Sequence, residues 1–412
     1  MVIKSSYSDG RNLLIFNIIK SLTLSAFGPF EIYSLLYLSS SETGRIELGS
    51  IMFLSVLLGI LAGPKVGNLI DRHERKLILN FNLLFFIFIS ISAFMIWKSD
   101  AELSKIVIPA VFLIIDFSEG IFFSTMRSIQ QTMVTNKKKY GLSNSISEIS
   151  GQLPTVIGAT LAIPVLSVLG PAFSLVIQLP FIAVSLILLT YLKENFSPVK
   201  DNNKNNKSNT SSLKYIKENF PIVFFFYLLN FTFIVTTIGN FLKPIFIVNT
   251  LHGNANGISL SEITYSTIGM STGALLSVLR IKFSLKHSYL FMLIFTIGCF
   301  LIPSSTSFAM YIGFQTTHGV GNPGNRISRN TVTMNGIPRE YSGRFYAGVQ
   351  ILSDITRLIL LLVFTISITF VGPSVLLTIT GILMLIAIIL SLTLYKFNKK
   401  LNNFFNSFEM KI

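Results

Sequence analysis

Long apolar runs separated by short polar clusters fill most of the chain. A helix that crosses a bilayer needs about 20 mostly apolar residues, and twelve runs approach or exceed that length. They cover residues 12–38, 48–70, 77–97, 106–126, 142–169 and 171–191, then 222–242, 263–279, 289–302, 308–323, 346–372 and 375–395. The ninth run is short, and its helix is expected to extend at either end. The first contains Lys20 and Glu31 and is too long for a cleaved leader, so it is read as a span.

A polar stretch rich in Asn, Lys and Ser, 193–220, parts the sixth run from the seventh. Its like charges and low hydrophobicity prevent burial, which predicts a cytoplasmic linker, disordered or partly helical. The chain thus divides into an N-terminal six-helix half, 1–192, the linker, a C-terminal six-helix half, 221–396, and a cytoplasmic tail, 397–412. The expected fold class is an all-α integral membrane protein.

Composition agrees: 51% of residues are apolar and 12% charged, against roughly a quarter charged in a soluble chain. The net charge of +15 would suit nucleic acid as a partner, but its distribution argues otherwise. Arg72, Arg75 and Lys76 share one connection; Arg127 and Lys137 to Lys139 another; the linker, then Arg280, Lys282 and Lys286, then Arg326, Arg329, Arg339 and Arg344, and the tail follow. The alternate connections carry only Arg45, Lys98, Lys105 and Lys243. This positive-inside bias predicts both termini in the cytoplasm. One cysteine, Cys299, excludes an intramolecular disulfide.

The connection Gly67-Asn-Leu-Ile-Asp71-Arg72-His-Glu-Arg75-Lys76 resembles the loop signature between the second and third helices of the major facilitator superfamily, and with its flanks looks most like the macrolide-efflux and siderophore-export branch. Glu74 stands where that family usually has Gly. The stretches from Ile258 to Gly273, from Ile337 to Arg344 and from Arg127 through Gly158 resemble the same branch. The chain has Gly158-Ala159 where drug antiporters often carry Gly-Pro, and its second-half hairpin has Gly273 and Arg280 without an intervening Asp. The resemblance implies that Gly67 allows close helix approach and that Asp71 meets the positive start of the eleventh helix. Gly67, Asp71, Arg72, Arg75, Lys76, Gly343 and Arg344 would then form a conformational latch on the cytoplasmic side.

Ionisable groups inside a span are costly and mark function by default. Glu31, Asp116, Glu119 and Asp354 qualify. Asp116 and Glu119 lie three apart on one helix face, where two carboxylates cannot both ionise cheaply, so the pair suits proton or cation exchange. Alternatively these acids face a water-filled vestibule or bond neighbouring hydroxyls and merely hold the bundle together. Asp354 and Arg357 are spaced to neutralise each other. Glu148, about two turns inside the predicted fifth span or else at its cytoplasmic rim, ranks below the other acids. His318 precedes Gly319, Gly321 and Gly324, a spacing that lacks the strand and helix of a dinucleotide site and instead predicts close helix packing with a kink; His318 itself is read as a packed side chain. Phe81 to Phe88 and Phe224 to Phe226 are expected to face lipid or neighbouring helices.

No metal-ligand spacing, nucleophile elbow or phosphate loop is visible, so no catalytic residue, metal, cofactor or enzymatic activity is expected. The resemblance implies a monomeric, multi-pass transporter of a bacterial plasma membrane. It would export a small organic molecule, a drug such as a macrolide or a self-made metabolite, by proton antiport. Glu31, Asp116, Glu119, Asp354 and Arg357 are the candidate coupling residues; small molecule, protons and lipid are the partners. Siderophore export, or lipid or lysolipid flipping on the same fold, are the alternatives.

Overall fold

A computed structural model of the protein describes residues 3–133, 140–193, 217–279, 281, 283–337 and 339–406. In chain order its helices are α1 (Ile3–Ser39), α2 (Glu42–Arg72), α3 (Arg75–Ser99), α4 (Ser104–Met133), α5 (Tyr140–Pro164), α6 (Gln178–Tyr191), α7 (Phe220–Leu229), α8 (Phe231–Asn249), α9 (Ala255–Val278), α10 (Leu285–Leu301), α11 (Phe308–Gly336), α12 (Arg339–Ser367), α13 (Pro373–Phe397) and α14 (Lys399–Asn406). Most of the linker, 194–216, lies outside the described residues, as do Lys137 to Lys139, Arg280 and Lys282.

Ten stretches among the described residues are long and apolar enough to cross a membrane. Helices α9 and α11, of 24 and 29 residues, match them in length but carry amides, hydroxyls and charges along their course. Counting these two, and α7 with α8 as one crossing broken at Asn230, the architecture is the twelve-helix bundle that hydropathy predicts.

Local chemistry sets the helix ends. The Ser41 hydroxyl accepts the Gly44 amide at 3.0 Å and starts α2. The Ser307 hydroxyl starts α11 by accepting the Met310 amide, and Ser284 with His287 boxes the start of α10. Between α5 and α6 the chain turns through Gly170 at φ +89°, followed by Pro171.

Several boundaries correct the sequence reading. The tenth span does not stop at Pro323 but runs to Gly336, so Arg326 and Arg329 are helical and not loop cations. The eighth begins at Ala255 and encloses Glu262. Lys243, counted above in an outer connection, is buried inside α8. A search by apolarity ends each span at its first polar cluster. These helices continue because their polar side chains find partners on neighbouring helices.

The chain folds as two compact units. The first comprises Met1–Thr135, Ser150–Asp201 and Gly253–Ile263; the second comprises Asn136–Ile149, Asn202–His252 and Thr264–Ile412. Helices α5 and α9 therefore each give residues to both. In the first unit Phe27, Leu83, Phe86, Phe122 and Ile182 form the core, with the Phe27 and Phe86 rings 4.5 Å apart. There α1 and α5 touch backbone to backbone at Gly28 and Gly158, a contact that only residues lacking Cβ permit. In the second unit Phe225 packs edge to face on Phe405 and Phe226 on Phe345, with Met384 buried in the same core. Gly321 and Gly324 seat α11 against Phe295 and Phe291 of α10, which is the close packing expected of that glycine set, at mid-helix and not at its end.

Candidate functional site

The first unit brings the predicted acids together. Glu31 on α1 and Asp116 on α4 are exposed, and Glu119 stands one turn beyond Asp116. Asp116 accepts a short hydrogen bond from the Ser55 hydroxyl of α2. Glu31 lies within electrostatic reach of Asp116, Glu119 and Glu262, the last from the first turns of α9. Sequence reasoning missed Glu262, which appeared only as part of a motif at the entry to the eighth helix. Its signal was the hydroxyl-rich continuation Ser259, Ser261, Thr264, Tyr265 and Ser266, which a helix can carry through a membrane.

Among the described residues no three His, Cys, Asp or Glu side chains gather closely enough to hold a metal. The acid group is dispersed, and its like charges favour keeping a proton or attracting a cation. About three turns before Glu31 on the same face of α1, the buried Lys20 places its ammonium 5.9 Å from the ring centre of Phe123, one turn beyond Glu119 on α4. Elsewhere in this unit Leu58, Phe81, Phe85 and Phe117 border an open apolar cleft of about 620 Å³. The Phe81 and Phe88 rings are about two-thirds exposed, as expected of surfaces meeting lipid.

The second unit holds Asp354 and Arg357, joined by an ion pair of 3.1 Å. Gln350 donates to the same carboxylate at 2.8 Å, and the Arg357 guanidinium covers the Phe233 ring at 5.0 Å. This pair stands in a different unit from Glu31, Asp116 and Glu119. His318 stacks on Phe295 with ring centres 4.2 Å apart, its Nε2 3.5 Å from the Cys299 sulfur, both side chains buried.

A second polar group in this unit follows from the longer α9 and α11. Lys243 is buried with its ammonium 5.6 Å from the ring centre of Tyr265. The Tyr265 hydroxyl accepts from the Asn322 amide at 2.7 Å and bonds the Arg326 guanidinium. Arg326 also donates through Nη2 to Glu148 at 2.6 Å. Glu148 therefore sits in an ion pair. Its helix is pinned there: the Asn144 amide donates to Thr331 at 3.1 Å, and Gly273 of α9 leaves only 3.2 Å between an added Cβ and the Ser145 carbonyl.

At the hairpin between α2 and α3, Arg72 is exposed while Arg75 and Lys76 are half-buried. The Lys76 ammonium reaches the Thr190 carbonyl at 3.4 Å. Among the described residues, an added Cβ on Gly67 would meet nothing within 4 Å. Arg344 lies in the first turns of α12, half-buried. The surroundings of Asp71 and Gly343 fall outside the described residues.

Residues 13–361 match the family model for the Major Facilitator Superfamily. No curated protein matches the sequence. Among solved structures, a POT family transporter bound to a thioalcohol-conjugated peptide aligns with a TM-score of 0.67 at 11% identity, covering 95% of this chain and 96% of its own. A bacterial metal transporter aligns at 0.62 and 14%, covering 93% and 98%. The human organic anion transporter MFSD10 aligns at 0.59 and 13%, covering 93% and 99%. At these identities the likeness concerns the fold.

Proposed function

The chain belongs to the Major Facilitator Superfamily, and from that premise we propose that this membrane transporter exports a small organic molecule from the cytoplasm by proton antiport. One observation carries the reading: Glu31, Asp116, Glu119 and Glu262 share a field inside membrane-spanning helices. Grouped carboxylates in such a place resist full ionisation, so one proton is held until a cationic substrate replaces it. Exchange of this kind couples inward proton movement to outward substrate movement as the protein alternates its access.

The substrate class that fits is a lipophilic amine or macrolide. The protein acts as a monomer in a bacterial plasma membrane with both termini inside, and Arg72, Arg75, Lys76, Gly343 and Arg344, with Asp71, latch its cytoplasmic side. A second reading, secretion of a self-made acidic metabolite such as a siderophore, draws support from the buried Lys243 and the half-buried Arg326. In proteoliposomes with an imposed pH gradient, ethidium export should fall at least tenfold in Glu31→Gln and in Asp116→Asn. Full export in both variants refutes the carboxylate mechanism.

A further inference from the structure

Arg326 joins a half-buried guanidinium to a buried carboxylate. Its helix is held by close packing: Asn325 is tied to the Leu229 carbonyl and the Thr232 hydroxyl at 2.9 and 2.8 Å, and Gly324 abuts Phe291. The guanidinium is therefore presented from a rigid support, which is what a recognition site requires. Its side chain is 35% exposed, whereas that of Glu148 is 7% exposed, so the arginine is the more open member of the pair.

A guanidinium offers five N–H donors in a planar fork that matches a carboxylate through two parallel bonds. The bond to Glu148 uses Nη2, and Nε is buried without an acceptor. A buried N–H in that state is costly, so an arriving acceptor is favoured. Tyr265 and Asn322 stand beside the fork with a hydroxyl and an amide.

We propose that Arg326, with Tyr265 and Asn322 at its side, is the seat for a carboxylate of the transported molecule, and that Glu148 is the resident carboxylate this group competes with. The inference rests on the export reading above and extends it to amphoteric substrates, carrying an acid as well as an amine. The buried Lys243, its ammonium over the Tyr265 ring, adds positive potential that favours the same ligand charge.

The test is equilibrium binding of norfloxacin and of its methyl ester to the purified full chain, followed by the fluorescence of the ligand. The acid should bind at least tenfold tighter than the ester. Arg326→Lys keeps the charge but loses the fork, and should cut the ratio several-fold. The double variant Arg326→Gln with Glu148→Gln strands no charge and should bring the ratio to about one. Glu148→Gln alone removes the competitor and should widen it. Equal binding of acid and ester by the unaltered protein, no binding of either, or an undiminished ratio in the double variant overturns the proposal. The assay needs no pH gradient. Failure of export with an intact ratio therefore sinks the antiport reading alone, and a flat ratio with robust ethidium export sinks the seat alone.

Discussion

The contact between Gly28 and Gly158 allows a perturbation to be worked through from coordinates to transport. A Cβ added at Gly158 would stand 2.9 Å from the Ser25 carbonyl oxygen and 3.0 Å from the Gly28 Cα, where ordinary contact begins at 3.4 Å. Both neighbours are backbone, so no side chain can swing away. Taking 2.9 from 3.4 leaves about 0.5 Å by which α1 and α5 must part in Gly158→Ala. Overpacking of this kind typically costs about 1–3 kcal/mol. Glu31 lies less than one turn beyond Gly28, so the same shift moves its carboxyl relative to Asp116 and Glu119; displacements near 1 Å at a reacting centre can cost about 100-fold in rate. The assay is a thermal melt in mild detergent, paired with ethidium export from proteoliposomes. Gly59→Ala is the control, because a Cβ there meets nothing within 4 Å, and replacing a mid-helix glycine should stabilise by about 0.5–1 kcal/mol. A Gly158→Ala protein that melts and transports like the unaltered one would refute the packing argument.

Asn325→Ala should lower stability by about 1–3 kcal/mol, since it strips the Leu229 carbonyl of a donor at the break between α7 and α8; the same melt reads it. Asp354→Asn and Arg357→Gln should each destabilise more than the double variant does, because each strands a partly buried charge, and a double-mutant cycle measures the coupling. His318→Gln should leave the pH profile of export unchanged, since the imidazole is packed between Phe295 and Cys299; a displaced profile would make His318 a proton carrier.

Most of the frame was legible in the chain. Apolar runs announced the crossings because lipid admits backbone only as helix or closed barrel, and i, i+3 spacing announced the Asp354 and Arg357 pair because one helix fixes it. The glycines at 319, 321 and 324 announced tight packing for the same local reason. What stayed hidden was relational. Glu262 is far from Glu31 in sequence, and only the fold brings their charges within reach. Arg326 read as a loop cation because Asn322, Pro323, Gly324 and Asn325 look like a stop; they continue as helix because Tyr265, Leu229 and Thr232 satisfy the amides. Gly67 shows the converse, a motif residue with no close neighbour among the described residues.

The sole sulfhydryl of the chain, Cys299, is shut away between α10 and α11 beside an imidazole. Maleimide and nitroxide reagents therefore have no native target within easy reach. Paired reporter cysteines can be engineered into otherwise unaltered protein, one in each compact unit, and their separations followed by pulsed dipolar spectroscopy through a transport cycle.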